Sequence, residues 1–85
     1  MRITKKYLNE LTYKVIGCAI EVHMHIGPAL LESVYEKCFV RELELRHLDY
    51  KRQVWAPIKY KGLLLDTELR LDVLVEDILC VELKA

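Results

Sequence analysis

The stretch that decides the fold is RLDVLVEDILCVELKA, residues 70–85. Two runs of strand-forming residues flank an acidic turn at Glu76-Asp77. Side chains alternate between the faces of a strand, so the length of that turn decides which residues share a face. With a three-residue loop, Glu76-Asp77-Ile78, Val75 faces Leu79, Val73 faces Val81 and Asp72 faces Glu82. Val73, Val75, Leu79, Val81 and Leu83 then make one apolar face, while Asp72, Glu82 and Lys84 share the other. A two-residue loop sets Asp72 against Val81 and breaks both groups. The alternation therefore predicts the three-residue loop or an equivalent bulge.

Working outward, the preceding segment also favours strand. Gln53, Val54, Trp55, Ile58 and Tyr60 carry the signal, with Pro57 marking an edge or an irregularity. Lys61-Gly62 is a turn, and Leu63 to Val75 reads as a second strand, interrupted near Asp66-Thr67. Ile78 to Lys84 is the third. Before Tyr50 the period changes to that of a helix. Leu8, Leu11, Val15, Cys18, Ala19 and Val22 form an amphipathic stripe from about Thr4 to His25. Gly27-Pro28 punctuates, glycine for a left-handed stop and proline for the next first turn. A second helix follows, about Ala29 to His47, with Leu31, Val34, Tyr35, Cys38 and Leu45 on one face. The expected class is α+β, ordered α-α-β-β-β: two N-terminal helices, then a three-stranded, mainly antiparallel sheet, in one domain over residues 1–85.

Composition narrows the function classes. At 53% apolar, the 85 residues have enough to bury for a folded domain. No apolar run approaches the roughly 18 residues that span a bilayer. MRITKKYLNE has no apolar segment behind its basic residues, so a secretory signal is not expected. Cys18, Cys38 and Cys80 have no metal-ligand spacing and read as reduced thiols of a cytoplasmic protein. His23 and His25, two apart on a helix, point to nearly opposite sides, which argues against a shared zinc. Net charge is zero, which argues against a protein that binds nucleic acid over its whole surface. The charge is nonetheless uneven. Lys51, Arg52, Lys59 and Lys61 occupy residues 51–61 without an acid, whereas 66–82 hold six acids against Arg70 alone. A phosphodiester and a cation need opposite partners, so the basic stretch is the candidate nucleic-acid contact. A solvated hairpin carries such charges too.

Two carboxylates facing one another are unfavourable unless a positive group lies between them. A divalent cation with oxygen ligands, Mg²⁺ or Mn²⁺, is the natural partner of Asp72 and Glu82. Lys84 projects to the same side, where it could orient or help deprotonate an attacking water. The set suits metal-assisted phosphodiester hydrolysis, and a solvated strand face with a cross-strand Lys-Asp pair fits the same spacing.

Asp72 followed by Glu82-Leu83-Lys84 resembles the signature of the PD-(D/E)XK nuclease superfamily. The segment EVHMHIGPALLESVYE, residues 21–36, resembles the hallmark of the small GxxExxY family within it. Gln53, Pro57, Tyr60-Lys61-Gly62 and LDVLVEDILCVELKA fall where that family has its own pattern, so the likeness covers nearly the whole chain. The resemblance implies a nuclease-like domain acting on nucleic acid, DNA ahead of RNA. Asp72 and Glu82 would be its metal carboxylates, Lys84 its motif lysine, and Glu32 a further catalytic acid from the second helix. Tyr35, Gln53 and His23 would support the site. Two departures stand out. Ala29 occupies the named glycine position, and the helix and strand that normally follow ELKA are absent. The expectation is thus a shortened restriction-endonuclease-like half whose uncovered sheet face invites a homodimer. A non-catalytic module for binding or self-association, or an inactive fragment of a longer protein, remains the alternative.

Overall fold

The structure, a computed structural model, describes residues 3–27 and 31–83. It contains α1 (Lys5–Ile26), α2 (Glu32–Leu45), β1 (Tyr50–Tyr60), β2 (Leu63–Val75) and β3 (Leu79–Val81). The strands form one antiparallel sheet in the order β1-β2-β3. Two helices followed by a three-stranded antiparallel sheet is the α+β class expected from the sequence. Contacts divide the chain into a helical unit, ending at Leu48, and a sheet unit, Asp49–Leu83.

In the helical unit, Thr4 caps α1 by accepting the Tyr7 amide on its hydroxyl at 3.1 Å. Leu11, Val15, Cys18 and Val22 are buried, which is the predicted stripe without Leu8, which is half-buried, and Ala19, which is exposed. Burial raises the Cys18 thiol pKa, and the Arg46 guanidinium partly offsets that. Gly27 ends the helix with φ 71° and ψ −173°, its amide bonded to the His23 carbonyl at 2.8 Å. Pro28 and Ala29, expected to open the second helix, lie outside the described residues.

α2 departs from expectation in two ways. Its buried face is Glu36, Phe39, Val40 and Leu43, not the stripe through Leu31, Val34 and Leu45, which are all exposed. Both series have helical spacing, and an acid among the buried positions hides the true one from a hydrophobicity pattern. The helix also stops at Leu45, before His47. His47 takes a left-handed φ of 58°, its amide bonds the Glu44 carbonyl and the Leu48 amide reaches back to Leu43. That is a Schellman ending, completed by apolar burial of Leu43 and Leu48. A histidine replaces the usual glycine, so composition did not mark the stop.

In the sheet unit, β1 and β2 meet at Lys61-Gly62, where φ is positive at both residues (48° and 87°), as a primed two-residue hairpin needs. The register is continuous from Tyr50↔Val75 to Pro57↔Glu68 and then shifts to Lys59↔Leu64. The irregularity sits opposite Asp66-Thr67, where the sequence indicated one. At the other end Glu76 and Asp77 are both left-handed, and Ile78 bonds back to the Val75 carbonyl at 3.1 Å. The ladder resumes at Val75↔Leu79, so the loop has three residues and Val73 faces Val81, the register predicted. Glu76 also ties down the start of β1. Its amide donates to the Asp49 carbonyl at 2.8 Å, and its carboxylate Oε2 accepts the Asp49 amide at 2.8 Å. Val73 and Val75 are fully buried.

A Cβ added to Gly27 would meet nothing within 4 Å, so any penalty there is one of backbone conformation alone. Gly27→Ala is expected to lower stability by about 1–3 kcal/mol, because this region of backbone space is nearly glycine-only. Urea unfolding followed by circular dichroism checks it.

Candidate active site

Asp72 lies near the C-terminal end of β2, with a side chain only 24% exposed. Its Oδ2 accepts the Leu83 amide at 3.1 Å, one residue beyond the point where Glu82 comes alongside in register. Oδ1 lies 4.0 Å from the Arg70 guanidinium, two residues earlier on the same face. Glu82 is exposed. Cys80, opposite Leu74 on this face, reports the electrostatics. Its thiol is pushed up first by desolvation, then by the negative charges of Glu82 and Asp72. Both carboxylates therefore act on one neighbourhood.

Gln53 lies opposite Asp72 in the β1–β2 register, between the pairs Arg52↔Val73 and Val54↔Leu71. Its φ is +52°, a left-handed backbone inside a strand. Glutamine has no special tolerance of that conformation, and nothing in the sequence announces it. Strain of this kind persists only where the surroundings over-determine it, and it gathers at functional positions.

The remaining candidates fall as follows. Glu32 opens α2 and is exposed, an acid in the first turn of a helix that has no side-chain cap. The Tyr35 hydroxyl donates to the Gly27 carbonyl, linking the start of α2 to the end of α1. His23 is exposed, and its carbonyl takes the bond that caps α1. All three belong to the helical unit, whereas Gln53, Asp72 and Glu82 are brought together in the sheet unit. Lys84 lies outside the described residues. Of the basic stretch, Lys51 pairs with Asp77 at 2.9 Å, and Lys61 lies 5.3 Å from the centre of the Tyr60 ring. Lys51, Arg52, Lys59 and Lys61 are all exposed along β1 and its turn.

Three residues emerge that the sequence reading did not assign. Glu36 is the buried charged residue among those described, one turn after Glu32. Its spacing from Phe39, Val40 and Leu43 is the signal that could have found it. Arg70 sits beside Asp72. Trp55, one of the strand formers of β1, is 61% exposed.

Among the described residues, no group of three or more His, Cys, Asp or Glu converges to hold a metal. The chemistry of the donor set nevertheless fits a hard divalent cation. Mg²⁺ takes one or two carboxylates and fills its remaining positions with water and phosphate oxygens. Asp72 keeps lone pairs free after accepting one amide.

Two outcomes are expected from this geometry. Gln53→Val, favoured in a regular strand, should instead destabilise by about 1–2 kcal/mol, while Gln53→Gly is neutral or better in the same urea titration. Asp72→Asn removes one of the charges that raise the Cys80 pKa. Its thiolate fraction at pH 8 should then increase, so site-resolved iodoacetamide labelling of Cys80 becomes faster.

No curated protein and no solved structure shows significant similarity to the chain. Residues 9–85, nearly the whole length, match the PD-(D/E)XK nuclease superfamily, a span that includes Asp72 on β2 and Glu82 directly after β3. The chain belongs to the PD-(D/E)XK nuclease superfamily.

Proposed function

We propose that this chain is a nuclease-like domain of the GxxExxY type that hydrolyses nucleic-acid phosphodiester bonds with Mg²⁺ or Mn²⁺. The observation that carries the reading is the convergence of Asp72 and Glu82 on one face of the β2–β3 hairpin, inside a chain of this superfamily. Asp72 and Glu82 would hold the cation, which when bound supplies Lewis-acid polarisation of the phosphate and a more acidic water. The protein's own groups do the rest. The Leu83 amide fixes the Asp72 carboxylate against rotation. Arg70 offers a positive charge beside that carboxylate, suited to a phosphate oxygen. Lys84 would orient the attacking water, with Glu32 as a second acid. Gln53, Tyr35 and His23 hold supporting positions. Lys51, Arg52, Lys59 and Lys61 would contact the backbone of the strand, DNA ahead of RNA.

The test has a binding arm and an activity arm. Mn²⁺ added to isotope-labelled protein should broaden the amides around residues 72 and 82–83, and Asp72→Asn should abolish the effect. Cleavage of DNA should require Mg²⁺ or Mn²⁺ and fall by roughly 100-fold or more in Glu82→Gln. Loss of a direct ligand should exceed the 10–100-fold typical of an outer partner. Cleavage unchanged in Glu82→Gln would overturn the assignment.

One observation favours a second reading, a non-catalytic module that associates with itself. Leu63, Leu64 and Leu69 are each at least half exposed along the hairpin, and such apolar exposure invites a partner. A concentration-dependent homodimer in sedimentation, with neither metal affinity nor cleavage, is the result that would select it.

A further inference from the structure

The β1–β2 hairpin runs well beyond β3. β3 pairs only with Val73, Leu74 and Val75, whereas β1 pairs with β2 as far out as Leu63. The outer part is a two-stranded ribbon, exposed throughout residues 61–70. Along β1, half-buried Val54, Ala56 and Ile58 alternate with exposed Trp55, Pro57 and Lys59. Residues directly opposite in an antiparallel ladder share a face. Trp55 stands opposite Arg70, and Arg70 shares its face with Asp72 two residues on. Two residues along a strand is about 7 Å. An exposed indole thus lies one short step from the Asp72 carboxylate, with a guanidinium between them.

We propose that this ribbon is the platform for the substrate strand, with Trp55 stacking on an unpaired base next to the phosphate that Arg70 would meet beside Asp72. The inference rests on the nuclease reading for where that phosphate lies. Aromatic stacking accepts any base, because every base has a π-face, but it needs a base whose face is uncovered. Inside a duplex neighbouring pairs cover those faces. The charges point the same way. Lys59 and Arg70 can meet a single backbone, yet Asp66 and Glu68 stand on the same ribbon, so it lacks the strongly basic stripe that holds a duplex. The occupant is therefore a single strand, or the unpaired end of a longer nucleic acid.

Trp55 is the sole tryptophan of the chain, which makes the contact directly visible. Without added divalent cation, oligothymidylate should quench its fluorescence saturably, and a blunt duplex should not. With a labelled oligonucleotide followed by anisotropy, Trp55→Phe should keep most of the affinity. Trp55→Ala should lose about tenfold or more, the usual scale of one base stack. Circular dichroism confirms that both variants are folded.

Binding without quenching, equal quenching by duplex, no binding at all, or wild-type affinity in Trp55→Ala would each overturn the platform. The two readings fail separately. Mn²⁺-dependent cleavage that is indifferent to Trp55→Ala sinks the platform and leaves the nuclease standing. Trp55-dependent binding with no cleavage in Mn²⁺ keeps the platform and sinks the nuclease.

Discussion

The site depends on the length of one loop. Strand side chains have a period of two, so a one-residue change between Val75 and Leu79 would turn Glu82 away from Asp72 and present Val81 in its place. The chain enforces three residues with local means. Glu76 and Asp77 adopt left-handed backbones, and Ile78 closes the turn on the Val75 carbonyl. Glu76 then binds Asp49 through both its amide and its carboxylate. A single residue thus holds the last turn and the start of β1 together. The alternative register is unfavourable, since a slip would turn Leu79 and Val81 away from the apolar face on which Val73 and Val75 are buried. Apolar burial on one face fixes the carboxylates on the other.

Much of this was legible in the chain itself. The stripe of α1, its stop at Gly27, the turn at Lys61-Gly62, the break near Asp66-Thr67 and the register of the last hairpin all follow from residue type and spacing. Each rests on a local rule with one clear solution. What escaped had no such rule. The buried side of α2 includes an acid, so a hydrophobic pattern chose the wrong stripe. Its end is carried by His47, a residue that rarely advertises a left-handed backbone. Gln53 is similar: a strand former by neighbourhood, held at a positive φ by its surroundings.

The candidate site residues divide along the same line. Asp72 and Glu82 could be paired on paper because two strands joined by a short loop have few registers. Trp55 could not be placed, because an aromatic residue in a strand reads the same whether it faces the interior or water. Only its exposure and its place opposite Arg70 give it a meaning beyond packing. Glu32 and Tyr35 are set by the helical unit, where the Gly27 carbonyl anchors the Tyr35 hydroxyl.

The sheet has a further property, which belongs to its folding and not to its reaction. Each pairing joins strands adjacent in the chain, β1 with β2 and β2 with β3. No crossover has to be threaded, and the contact order of the sheet is low. The carboxylate pair is assembled by a short closure, a loop of three residues, for which the entropy to be overcome is small. Asp72 and Glu82 can therefore meet as soon as one hairpin zips. The pair needs no contact from β1 to come alongside.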